Sequence, residues 1–204
     1  MDQTQLEMLL DEHYMVVRSQ PSDVMDHLQT FVDLVDDAAT YFPDVRVIEL
    51  GVRYGVSTTA WLWALRGRGE LWAVDGSPPV IEPTMQVDLL NPLMDLDHFH
   101  FIKGWDTELP VLQQLPDQVD FVFIDTNHIY EETLAELEAY LPRVKDGGRI
   151  LLHDTALIST PNAGDRPQPD YPVRCAMKEF CADRDLSWSD TEVCNGLGQV
   201  YVRW

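Results

Sequence analysis

Along this chain, apolar residues first recur at helical spacing and then in short runs. Leu6, Leu9, Leu10 and Val17 share one face of an opening helix. After a break at Ser19-Gln20-Pro21, Ser22 is placed to cap a second helix with Asp23 and Asp26 in its first turn. Val24, Leu28, Phe31, Val35 and Phe42 follow at helical spacing. From Val45 the pattern changes: VRVIEL, ELWAV, HFHFI, VDFVFI and GGRILL read as strands, with VSTTAWLWALRG and EETLAELEAYL as helices among them. Such alternation predicts βαβ units and a parallel sheet covered on both faces.

The last third breaks this rhythm. TPNAGDRPQPDYP carries Pro161, Pro167, Pro169 and Pro172 and reads as an irregular loop. A helix (VRCAMKEFCADR) and two strands (LSWSDTEV and GQVYVRW) close the chain. Only Cys194-Asn195-Gly196-Leu197-Gly198 separates those strands, too short for a helical crossover, so they should pair as an antiparallel hairpin. The expected division is a helical cap over residues 1–43 and an α/β domain over 44–204.

Composition narrows the function classes. A chain of 204 residues can bury roughly 70% of its unfolded surface, and 45% of its residues are hydrophobic, so a packed core is expected. No run reaches the ~18 apolar residues of a membrane span, and the acidic N-terminus is unlike a signal peptide. Cys175, Cys181 and Cys194 form no C-x-x-C pair and read as reduced thiols. A soluble cytoplasmic protein is the expectation. A formal charge of −21 with no basic run disfavours nucleic acid as a partner.

The candidate chemistry starts at the turn after the first strand. Gly51 and Gly55 permit backbone angles and ligand approach that side chains forbid, while Ser57, Thr58 and the helix N-terminus offer donors to an anion. The spacing is E-x-G-x-x-x-G-x-S-T, beginning at Glu49, with Tyr54 before the second glycine. That is not the G-x-G-x-x-G of dinucleotide binders, which favours another nucleotide-like ligand. Asp75 ends the second strand, where a carboxylate can take both hydroxyls of a ribose. A tight turn with a strand-end acid also serves sheets that bind nothing there.

These residues resemble the class I methyltransferases that use S-adenosylmethionine. The resemblance covers Val45 to Trp204 and implies a Rossmann-like fold: a seven-stranded, mostly parallel sheet with an antiparallel C-terminal strand, here preceded by N-terminal helices. It implies that Glu49, Gly51 and Gly55 hold the methionine end of the cofactor and Asp75 the ribose. Trp105 and Asp106, in Gly104-Trp105-Asp106 after the HFHFI strand, match the segment that contacts adenine. For Trp105, stacking on the base and an ordinary buried position both stay open.

A second constellation follows the fourth and fifth strands: Asp125 and His128 in FVFIDTNHIYEE, and His153, Asp154 and Thr155 in GGRILLHDT. Both segments finish at one sheet edge, where carboxylates can hold a divalent cation and an imidazole can take a proton. They are similar to the metal-dependent O-methyltransferases, including the catechol-type enzymes and the macrocin and cephalosporin-biosynthesis group. That similarity implies Asp125 and Asp154 as metal ligands and His128 as base. His153 and Thr155 stand where the family has a second oxygen ligand, and because imidazole suits transition metals better than magnesium, the similarity leaves either magnesium or a transition metal as the cation such a site would take.

The expected activity is methyl transfer from S-adenosylmethionine to a hydroxyl of a small-molecule acceptor. A metal-independent methyltransferase acting on nitrogen or another acceptor type, with His153 and Asp154 as polar substrate contacts, and a noncatalytic protein of the same fold remain alternatives; Asp125 as a helix cap or cofactor contact, His128 as a solvated loop residue and His153 as a satisfied strand-end histidine also stay open. Acceptor specificity is expected from the N-terminal helices, the Pro78–Asp97 insertion and the loop 156–172. The apolar face of the opening helices leaves a homo-oligomeric contact open.

Overall fold

The computed structural model describes residues 3–17, 27–41, 44–76, 91–158 and 167–203. Ser22 with Asp23 and Asp26, Val24, Phe42, most of the Pro78–Asp97 insertion and Pro161 of the proline-rich loop lie outside the described residues. Seven strands form one mostly parallel sheet. The chain divides into two compact units, Met1–Leu115 and Pro116–Trp204.

The first unit carries α1 (Gln3–Val17), α2 (Leu28–Tyr41), β1 (Val45–Leu50), α3 (Val56–Leu65), β2 (Gly69–Asp75), β3 (Phe99–Lys103) and a short α4 (Leu109–Leu112). β1 pairs with β2 and β2 with β3, all parallel, with Leu50 beside Val74 and Asp75 beside Lys103. Nearly every residue of α3 is buried, its serine and threonines included. A helix apolar all round needs cover on more than one side. β1 and β2 supply one layer, while α1 and α2 supply the other, where Phe31 stacks on Trp61 with ring centroids 4.1 Å apart. The expected boundary at residue 43 therefore falls inside this unit. α3 stops two residues before the expected end because Arg66 and Gly67 both take positive φ and reverse the chain.

The second unit carries β4 (Val119–Ile124), α5 (Tyr130–Tyr140), β5 (Val144–His153), α6 (Pro172–Arg184), β6 (Ser187–Thr191) and β7 (Leu197–Tyr201). β4 and β5 are parallel, with Ile124 beside Leu152. β7 runs antiparallel to β5 on one side and to β6 on the other, so the closing hairpin folds its last strand inward. Pro172 opens α6, where its missing N–H has no helical partner to lose. All three cysteines are free thiols. Among the described residues, no helix is long and apolar enough to cross a membrane.

Candidate functional site

In the first unit, three neighbouring parallel strands end at a common edge, and the residues just past their ends are tied together. The Gly51 amide donates to the Val74 carbonyl at 2.9 Å, and the Gly104 amide donates to the Asp75 carbonyl at 3.1 Å. Gly51 (φ 86°), Arg53 (φ 49°) and Gly55 (φ 75°) all take left-handed angles, which turns the chain sharply between β1 and α3. Gly55 caps α3 without a side-chain hydrogen bond. The first amides of that helix thus receive no side-chain cap, the arrangement that suits an anion.

Two carboxylates secure this turn from within. Glu49 is fully buried, and its Oε2 accepts a 2.8 Å hydrogen bond from the Thr58 hydroxyl, itself fully buried. Asp75 Oδ2 accepts from the backbone amides of Val52 (3.1 Å) and Arg53 (2.8 Å), so it braces the glycine turn directly. Ser57 is buried at the start of α3. Tyr54 is half-buried, and the Arg53 guanidinium lies 5.0 Å from its ring centroid.

Trp105 is not an ordinary buried tryptophan: 47% of it is exposed. Its ring backs onto Gly76, where a Cβ would come within 2.9 Å of the ring atoms Cδ2 and Cε3. Asp106 follows it, half-buried. Gly76 was not singled out from the sequence, although a glycine directly after a strand-end acid is a visible signal for a flat surface there. Glu49, Gly51, Tyr54, Gly55, Ser57, Thr58, Asp75, Trp105 and Asp106 all lie at or just past the ends of β1, β2 and β3.

The second unit gathers a different chemistry at the ends of β4 and β5. Because Ile124 pairs with Leu152, the next residues, Asp125 and His153, emerge beside each other. His128 (φ 57°) and Asp154 (φ 60°) both hold left-handed angles unusual for residues with side chains. These turns fold four polar side chains together. His128 Nε2 lies 3.2 Å from Asp125 Oδ1 and 3.0 Å from Asp154 Oδ2. His153 Nδ1 lies 3.5 Å from Asp125 Oδ1 and 3.3 Å from Asp154 Oδ1. Among the described residues, Asp125, His128 and Asp154 present ligand atoms within 4.8 Å of one another, the spacing of a candidate metal group.

Charge and burial compete here. Burial alone would push the Asp125 carboxyl up, but hydrogen bonds from His128 and His153 and the charges of both imidazoles outweigh it and hold the carboxyl well below the usual range. For His153 burial opposes the charged imidazolium, and the hydrogen bonds and charges of Asp125 and Asp154 raise its pKa nonetheless. Thr155, the other neighbour of Asp154, is fully buried and donates its hydroxyl to Asp190 Oδ1 at 2.6 Å. Arg174 Nε holds the other Asp190 oxygen at 2.6 Å. Asp190 thus anchors the turn after β5 from strand β6. Nothing in the local sequence marks it, because its partner lies 35 residues away.

The proline-rich segment also returns to this edge. Gln168 Oε1 accepts from the Tyr130 amide at 2.9 Å, and Gln168 Nε2 donates to Glu131 at 3.1 Å, so the end of that segment clasps the start of α5 two residues after His128.

The fold is that of a class I methyltransferase. A family model described as a methyltransferase domain matches residues 48–155, more than half of the chain, and the chain belongs to that family. Solved structures agree on the fold. A Podospora anserina methyltransferase with bound S-adenosylhomocysteine is similar at TM-score 0.66 and 20% identity, covering 96% of this chain and 87% of its own. An O-methyltransferase from Bacillus cereus, also in complex with S-adenosylhomocysteine, is similar at TM-score 0.64 and 18% identity, covering 96% and 91%. No curated protein sequence matches the chain.

Proposed function

We propose that this methyltransferase-family protein transfers the methyl group of S-adenosylmethionine to a hydroxyl of a small-molecule acceptor. Two relatives of its fold carry the demethylated cofactor, and one of them is an O-methyltransferase. The cofactor assignment rests on the glycine turn braced by Glu49 and Asp75. In this reading the turn and Ser57–Thr58 face the methionine end, Asp75 takes the ribose, and Trp105 with Asp106 meets the adenine. The observation that carries O-methylation is the group Asp125, His128 and Asp154 at the ends of β4 and β5.

The donor set fits a divalent cation: two carboxylates, one strongly biased toward the ionised form, with imidazole nitrogens beside them. Asp125 and Asp154 are the residues that would hold it. Such a cation, when bound, lowers the pKa of an acceptor hydroxyl and fixes its oxygen. His128, with its side chain 26% exposed, is the imidazole an acceptor can reach. It takes the hydroxyl proton while the oxygen lone pair forms a bond to the methyl carbon. The cofactor, when bound, would supply a methyl group on a sulfonium whose sulfur keeps the bonding electron pair and departs as a neutral thioether. Asp125 and Asp154 stabilise the imidazolium so formed. Positioning supplies much of the acceleration, since the methyl group arrives already activated.

One observation favours a second reading. The carboxylates already have imidazoles at 3.0–3.5 Å, so the four groups can neutralise one another without a metal, leaving a metal-independent methyltransferase. Calorimetric titration with S-adenosylhomocysteine, followed by methyl-transfer assays on hydroxyl acceptors with magnesium, with manganese and with a chelator, tests both. Micromolar binding of about −8 kcal/mol and chelator-sensitive turnover are expected. Absence of cofactor binding in every condition overturns the proposal, and turnover indifferent to chelator leaves the second reading.

A further inference from the structure

The geometry points to His153 as a metal ligand, making the site an imidazole–dicarboxylate centre for a first-row transition ion rather than for magnesium. This rests on the metal-assisted reading above and specifies the cation. The two imidazoles of the cluster sit in different surroundings. His128 is 26% exposed and open to an acceptor, whereas His153 is 3% exposed and lies at the strand end beside both carboxylates. A buried imidazole cannot exchange protons readily with an incoming substrate, but it can face a cation held by Asp125 and Asp154.

Its placement is built into the sheet. The β4–β5 register sets His153 beside Asp125, and pairing with Leu197 of β7 holds its backbone from the other side. Its Nδ1 stands 3.5 Å from Asp125 Oδ1 and 3.3 Å from Asp154 Oδ1. Donor atoms about 2.0–2.3 Å from a shared cation lie about 3.0–3.5 Å from each other. The nitrogen is therefore spaced from both oxygens as a co-ligand would be; His128 Nε2 meets the same spacing at 3.2 and 3.0 Å, and it is burial at the strand end that separates His153 from it. Thr155 supplies no competing oxygen, since its hydroxyl is engaged by Asp190.

Chemistry then selects the ion. Magnesium prefers oxygen donors and gains little from imidazole, whereas manganese, iron, cobalt and zinc take imidazole and carboxylate together, with affinity rising along the first row. Binding of the cation displaces the proton that Asp125 and Asp154 favour on the imidazole, and two carboxylates with the neutral imidazole leave the remaining positions to water or to an acceptor oxygen.

The test uses the full chain stripped of metal with a chelator and titrated by calorimetry with magnesium, manganese and cobalt. Cobalt is expected to bind at least about 100-fold tighter than magnesium, with visible d–d absorption that shifts when an imidazole nitrogen is lost. H153D, which replaces nitrogen by oxygen, should weaken cobalt about 10–100-fold and narrow the preference over magnesium. H153Q, closer in shape, should lose cobalt affinity in the same way, guarding against a folding defect, which circular dichroism would report. Equal affinities for magnesium and cobalt, or a folded H153D with undiminished cobalt binding and an unchanged spectrum, overturn the inference while sparing the metal-assisted reading. Binding of no divalent ion overturns both and leaves the cluster a self-neutralised ion-pair group.

Discussion

Asp75 offers the sharpest separation of a structural role from a ligand-binding one. Its Oδ2 accepts two backbone amides from the glycine turn, from Val52, which is buried, and from Arg53, which is exposed and held at φ 49°. Substituting Asp75→Ala strands the Val52 amide, and losing a hydrogen bond to a charged acceptor costs about 1.5–3 kcal/mol. The Arg53 amide can turn to water and adds about 0.5 kcal/mol. The cofactor-free variant should therefore be about 2–3 kcal/mol less stable, which for a chain of this size lowers Tm by ~4–12 °C. Asp75→Asn keeps an acceptor oxygen and should lose about half as much.

Urea unfolding without cofactor reads the brace, and calorimetric titration with S-adenosylhomocysteine reads the ribose contact. Asp75→Ala should also weaken that ligand by tenfold or more, about 1.4 kcal/mol. An unfolding midpoint equal to wild type, at unchanged slope, refutes the brace. A folded variant with an unchanged dissociation constant refutes the ribose assignment, whatever the stability shows.

Two further outcomes follow from buried polar groups away from the reacting centre. Burial depresses the pKa of His13 below 6.5, and its Nε2 has no hydrogen-bond partner among the described residues. The unfolded chain then binds more protons than the native one as pH falls below 6.5. Stability present above that value is lost on acidification. Urea midpoints at descending pH should fall less steeply for His13→Leu than for wild type, and parallel slopes would refute the argument. Thr155→Val preserves shape but removes the hydroxyl bonded to Asp190, and should cost about 1.5–3 kcal/mol in chemical unfolding. A midpoint matching wild type would show that Asp190 does not anchor the turn after β5.

The sequence by itself determined the layered α/β class, the strand list, the closing hairpin and most of the edge where chemistry collects, because these depend on local periodicity. Short, mostly apolar runs such as VDFVFI and the five-residue link Cys194–Gly198 leave few alternatives. Glycines flanked by Glu49 and Asp75 also announced a turn that needs left-handed backbone, which Gly51 and Gly55 adopt. What the sequence could not show was how polar groups are divided among partners.

Only the tertiary structure engaged Thr58 with Glu49 and Thr155 with Asp190, placed Gly76 under an exposed Trp105, and set Asp75 to bracing Val52 and Arg53. It likewise distinguished two histidines that read alike along the chain, leaving His128 half-buried and burying His153 against the same carboxylates. Those outcomes follow from strand register, which brings Asp125 beside His153 across 28 residues of chain. Hydrogen bonds and charges act over a few ångströms of space, while sequence patterns report only neighbours within a turn or a strand.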